Sequence, residues 1–143
     1  MLAADVRYWH SSFVRLDEGT VLSPRPGYDA RWTGPSAGRI LEDLRPTQSL
    51  AHRDAVFMCR DPQECDDCGA HTEWLFEVVP SARVERHDLA WASDIDVMLS
   101  EGVPPDDLRI VDLARRYWSG QASDHPTWEY LSPQATIVHV ERY

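Results

Sequence analysis

The residue types able to do chemistry lie at the two ends of this 143-residue chain. Near the C-terminus, Glu129 stands in Pro126-Thr127-Trp128-Glu129-Tyr130-Leu131-Ser132-Pro133, ahead of the apolar run Ala135 to Val140. Aromatic neighbours mark burial or a cleft wall, so a carboxylate between Trp and Tyr is poorly placed for solubility and well placed to act as a working acid. In a strand, period-2 alternation puts Trp128 and Tyr130 on one face and Glu129 with Leu131 on the other. The competing reading is an edge-strand glutamate facing water. Near the N-terminus, Tyr8-Trp9-His10-Ser11-Ser12 closes a first β-prone run and places an imidazole at a strand end. A lone histidine there is more often structural than catalytic. Between the ends, Asp54-Ala55-Val56-Phe57-Met58-Cys59-Arg60-Asp61 reads as a short apolar strand closed by polar residues.

Cys59, Cys65, Cys68 and His71 fall within thirteen residues and offer the ligand types of a Cys₃His zinc shell. Only one CxxC pair is present, its spacing matches no common finger, and Asp66-Asp67 between the thiols suits a solvated turn. Free thiols are therefore preferred to structural zinc or a redox pair, and no metal is assigned. Asp94-x-Asp96 could bind a divalent cation, but near a helix start Asp94 reads rather as a cap or dipole partner. Asp124-His125 lies in the loop before Glu129, where it would approach an acceptor substrate or simply face water. No G-x-S-x-G elbow surrounds Ser11 and Ser12, which argues against a hydrolase triad.

The elements that must position these groups follow from periodicity and turn chemistry. Residues 4 to 10 read as a strand. Residues 23 to 38, with three Pro and three Gly among Tyr28, Arg31 and Trp32, form a long loop of the kind that borders a site. Ser36 to Leu44 suits a short helix before Pro46, 54 to 59 a strand, and 72 to 79 and 82 to 86 a pair of strands broken at Pro80. Ser93 can cap a helix to about Ser100. Another begins at Asp106, with Leu108, Val111 and Tyr117 at helical spacing until Gly120 stops it. Strands at 127 to 131 and 135 to 142 finish the chain. Strands at both ends with helices mainly between them predict an α+β sandwich of two small, mainly antiparallel sheets, in a single domain spanning 1–143.

Composition narrows the partners. The chain carries 14 basic and 24 acidic residues for a net charge of −10, and every basic residue is an arginine scattered along the sequence. A phosphate backbone needs clustered positive charge, so nucleic acid is disfavoured. A hydrophobic fraction of 43% with six Trp argues for a folded globule. No apolar run approaches the roughly 18 residues of a membrane span, nor does the N-terminus read as a signal peptide, so a cytoplasmic protein is expected, with export by another route left open.

The order of the motifs carries a resemblance. The first-strand His10 followed by small residues, the aromatic middle strand around Phe57, and Glu129 opening Glu-Tyr-Leu-x-Pro ahead of Ile137-Val138-His139-Val140 resemble the ADP-ribosyltransferase superfamily, in its His-Tyr-Glu branch. Trp74-Leu75-Phe76-Glu77-Val78-Val79-Pro80, Asp88 and Tyr117-Trp118-Ser119-Gly120 extend the likeness over most of the chain, and small rifampin-modifying transferases share the layout. The resemblance implies a split sandwich of two sheets with short helices, and NAD-dependent mono-ADP-ribosyl transfer to a protein or small-molecule acceptor, with possible NAD glycohydrolase activity. It also implies the setting of a toxin or modifying enzyme, for which a cognate inhibitor would be a further partner. By the same resemblance His10 bonds the nicotinamide ribose, the Ser11 backbone clamps the carboxamide, Phe57 stacks on nicotinamide, and Glu129 holds the ribose and stabilises the cation formed as the glycosidic bond breaks. Ser11 stands where the family carries Gly, and Phe57 where it carries Tyr. A transferase fold that only binds, and a zinc-stabilised interaction domain, are the alternatives.

Overall fold

The computed structural model describes residues 6–25, 36–63 and 73–142. β1 (Tyr8–Ser12) and β4 (Trp74–Pro80) pair antiparallel, and β4 pairs in turn with β7 (Ala135–Arg142), which holds the two-residue β2 (Val21–Leu22) at its far side. These four form one sheet in the order β1-β4-β7-β2. The second sheet has the order β3-β6-β5, with β6 (Trp128–Ser132) between β3 (Val56–Met58) and β5 (Glu85–Asp88). Aromatic and β-branched residues dominate β3 and β4, as a pleated, half-buried surface favours.

The sheets meet at one seam. Trp9 donates its N–H to the Cys59 carbonyl over 2.7 Å, and Cys59 returns the bond to Trp9 over 2.8 Å. Their facing sides bury Leu22, Val56, Met58, Phe76, Val78, Tyr130, Ala135 and Ile137. Three helices, α1 (Ala37–Asp43), α2 (Leu89–Ser100) and α3 (Leu108–Ser119), share a separate core of Ile40, Leu41, Trp91, Ile95, Ile110, Ala114, Tyr117 and Trp118. That helical core covers the other side of the smaller sheet, where Tyr117 stacks on His87 of β5. The architecture is α+β with two antiparallel sheets, as expected from the order of the elements.

The capping residues place the helices. Ser36 accepts from the Arg39 N–H over 3.2 Å at the start of α1, and the Ala37 N–H is taken by Asp96 of α2 over 3.0 Å. Asp96 thus partners the N-terminus of a neighbouring helix, whereas Asp94, read as the helix-start partner, lies inside α2, whose cap is Asp88. Asp107 caps α3 through the Arg109 N–H, and Gly120 ends it in the left-handed region with φ 77°.

Several boundaries differ from the sequence reading. β1 runs to Ser12 because Ser11 and Ser12 pair with Leu75 and Trp74, so His10 is mid-strand, not at a strand end. Helix α2 starts at Leu89, not after Ser93, because Asp88 accepts the Ala90 N–H over 2.9 Å and outcompetes the serine as a cap. β4 and β5 are not partners. The chain leaves one sheet after Pro80 and joins the other. Most of the loop read over 23 to 38 lies outside the described residues, as do Cys65, Cys68 and His71.

Candidate functional site

Alternation within β6 holds as read from the sequence. Trp128 and Tyr130 pack in the layer between the sheets, and Glu129 and Leu131 turn to the opposite side. That side is covered by helix α3, so Glu129 is only 8% exposed and is not an edge glutamate facing water. The Tyr117 hydroxyl donates to Glu129 Oε2 over 2.5 Å. Burial pushes the Glu129 carboxyl up to about 7, against the lowering effect of the Tyr117 bond. A buried carboxyl raised toward neutrality beside a tyrosine hydroxyl makes Glu129 a candidate functional group.

Other titratable groups converge on the same layer. The His52 ring nitrogen Nε2 lies 2.6 Å from the Tyr117 hydroxyl, and its Nδ1 lies 3.3 Å from Glu42 Oε1 of helix α1. Glu42 also accepts the His52 backbone N–H over 2.6 Å and faces the Arg45 guanidinium at 3.3 Å. His87 sits directly across from Glu129 in the β5–β6 register, stacked on Tyr117 with ring centroids 4.6 Å apart. Burial pushes the His87 imidazole down, against bonds to the Tyr117 carbonyl and to Glu85. Its Nδ1 donates to that carbonyl over 2.9 Å, and its Nε2 lies 3.4 Å from Glu85 Oε1.

His10 belongs to a different layer. With Tyr8, which meets Tyr130 edge-on at 5.5 Å, it faces the space between the sheets and stacks over Phe76 at 6.5 Å. Its Nδ1 donates to the Phe57 carbonyl across the seam over 2.7 Å. Burial lowers its pKa more than that carbonyl bond raises it. The ring is therefore neutral at pH 7, with the proton on Nδ1 and an acceptor lone pair on Nε2. The Trp9 backbone groups point at β3, and by alternation those of Ser11, two residues on, point the same way, away from β4. The Phe57 ring is half-buried on the helix-facing side, 5.8 Å from His52.

The four residues singled out from sequence thus divide. His10 and the Ser11 backbone flank the seam, whereas Phe57 and Glu129 face the helical layer, and the hydrogen-bond partner of Glu129 is Tyr117, not His10. Tyr117 was legible only as part of a motif and as a core helix position, and His52, His87 and Glu42 carried no signal of their own. His52 and Tyr117 are 65 residues apart, and nothing in either neighbourhood announces the other.

Among the described residues no group of three His, Cys, Asp or Glu could hold a metal ion, and no helix is long and apolar enough to cross a membrane. A groove of about 390 Å³ between α2 and α3, lined by Met98, Leu108, Arg109, Asp112, Leu113 and Arg116, contains none of the candidate site residues. The chain matches no protein-family model and no curated protein.

Proposed function

We propose that the chain is an NAD-dependent mono-ADP-ribosyltransferase of the split-sandwich type, acting on a protein or small-molecule acceptor. The observation that carries this reading is the lateral adjacency of the three motif strands. β1 with His10 bridges to the end of β3 at Cys59, and β3 with Phe57 pairs with β6, which holds Glu129. Motifs separated by 47 residues or more in sequence therefore stand side by side.

Two local features support it. A neutral His10 with Nε2 as acceptor can take a hydrogen bond from a ribose hydroxyl, and its Nδ1 bond to the Phe57 carbonyl holds the ring for that role. The Ser11 N–H and C=O, turned off the paired side of β1, match the acceptor and donor of a carboxamide. Serine in place of glycine keeps both backbone groups that the clamp would use. Glu129 would supply the anion facing the oxocarbenium-like sugar, and one such contact is worth roughly 3 to 4 kcal/mol of barrier.

A second reading, a transferase fold that binds without catalysing, is favoured by one observation. Glu129 is closed off by Tyr117 on the opposite side of the strand layer from His10. Chromatographic measurement of NAD consumption, beside calorimetric titration with NAD, separates the two. Cleavage that falls at least tenfold in Glu129→Gln supports transfer. Binding without cleavage supports the module. Neither binding nor cleavage overturns both.

A further inference from the structure

The Tyr117 hydroxyl carries a single proton and touches two groups, Glu129 Oε2 at 2.5 Å and His52 Nε2 at 2.6 Å. It can donate to only one of them at a time and must accept from the other. Behind His52, Nδ1 lies 3.3 Å from Glu42 Oε1, too poorly aligned for a hydrogen bond to it but close enough for the carboxylate's charge to favour a proton on that nitrogen. Two arrangements then satisfy the chain. In the first, Glu129 is ionised and accepts from Tyr117, whose oxygen accepts from Nε2–H of an imidazolium, and the protonated Nδ1 lies beside the Glu42 charge. In the second, Glu129 is protonated and donates to the Tyr117 oxygen, Tyr117 donates to Nε2, and a neutral His52 keeps its proton on Nδ1, beside the Glu42 charge. A neutral His52 protonated on Nε2 would instead set its Nδ1 lone pair against a carboxylate.

The two arrangements have the same total charge and differ by one proton moved. Passing from the second to the first, the Glu129 O–H bond breaks as its proton goes to the Tyr117 oxygen, and the former Tyr117 proton forms the new N–H bond at His52 Nε2. We propose that Glu42, His52, Tyr117 and Glu129 form a proton relay in which Tyr117 exchanges a proton between the Glu129 carboxyl and the His52 imidazole. Tyr117, His52 and Glu42 are thereby positioning residues that create the Glu129 anion without adding net charge to a buried layer, where an isolated charge is costly. Among the described residues, other charged or titratable groups near the relay pair with their own neighbours. Arg45 pairs with Glu42. His87 stacks on Tyr117 and contacts Glu85 at 3.4 Å, and Glu85 in turn faces Arg83 at 3.1 Å and accepts the Leu50 N–H. This relay deepens the transfer reading and rests on it for its purpose, though not for its existence.

The test is an NMR titration of the whole chain carrying carboxyl-labelled glutamate and ring-labelled histidine, with NAD consumption measured on the same samples. In the parent protein the Glu129 and His52 signals should respond together, as a coupled pair. Tyr117→Phe keeps the stacked ring and removes the bridging oxygen. The Glu129 midpoint should then rise by about one pH unit or more, tenfold in the ratio of ionised to protonated form, and separate from His52. Glu42→Gln, on a more open side chain, should likewise move the proton toward Glu129, and decides the matter alone if the tyrosine variant does not fold. Independent titrations in the parent, or an unmoved Glu129 midpoint in the folded variants, overturn the relay. Coupled titration without NAD cleavage keeps the relay and removes the transfer reading, and cleavage without coupling does the reverse.

Discussion

At the scale of single residues, Glu129 is an acid whose burial opposes its ionisation. Its carboxyl is raised from 4.5 in the unfolded chain to about 7 in the folded protein. Between those values the folded state binds the proton that the unfolded state has lost, so stability decreases as the pH rises through this window. The shift corresponds to roughly 3 kcal/mol. Glu129→Gln removes the titration and keeps an oxygen for Tyr117. Chemical denaturation should therefore find the variant near the parent in stability at about pH 5 and more stable by up to roughly 3 kcal/mol at about pH 8. A parent whose stability is flat over that range, relative to the variant, would show that Glu129 is already ionised and solvated. His10 offers the companion prediction. On the proposed transfer reading, His10→Ala should weaken NAD binding at least as much as it slows turnover, because a ribose bond there would position the substrate in ground and transition states alike. Calorimetry with an unchanged Kd would remove His10 from the site.

At the scale of elements, two junctions hold the helical layer against the smaller sheet. The first is Gly120, which ends α3 at φ 77° and whose added Cβ would come within 3.3 Å of the Arg86 carbonyl on β5. Gly120→Ala combines left-handed strain with that backbone contact and should cost about 1 to 2 kcal/mol in thermal unfolding. The cost also reports on the site, since the same turn of α3 presents Tyr117 to Glu129. The second junction is Asp88, which receives three backbone N–H groups: Ala90 at 2.9 Å, Ser123 at 2.7 Å and Thr127 at 2.9 Å. It therefore fixes the start of α2, the loop around Ser123 and the entry to β6 together. Asp88→Ala leaves three donors to be resatisfied and should lower stability by roughly 3 kcal/mol.

At the scale of the whole molecule, these two carboxyls bend the stability curve from opposite sides. Burial would raise the Asp88 carboxyl, but the N–H bonds from Ser123, Ala90 and Thr127 outweigh it and hold the group below its ordinary 3.8. Its contribution is present above that value and is lost as the pH falls below it. Glu129 acts in the other direction, destabilising as the pH rises toward 7. The expected pH profile has its maximum between these limits, and the Asp88→Ala and Glu129→Gln variants should flatten the acid and neutral limbs respectively. A single monotonic profile unaffected by either variant would count against both assignments.

The sequence by itself determined which segments form elements and which way their side chains alternate. The face assignment of Glu129 and Leu131 against Trp128 and Tyr130, the short helix after Ser36, the Gly120 stop and the α+β class all follow from local periodicity and turn chemistry, which act between near neighbours. Glu129 and His10 stood out by their local setting, whereas Ser11 and Phe57 were singled out only by the resemblance to the transferase family. Only the tertiary structure decided what those residues meet. The chain's departure to the second sheet after Pro80 puts His87 opposite Glu129. The packing of α3 over that sheet then sets Tyr117 against the carboxyl, and the turn at His52 completes the contact from 65 positions away. Such pairings depend on how whole elements cross. Their energies come from excluding water between surfaces that no window of sequence contains, which is why the acid could be read from the chain and its tyrosine–histidine partners could not.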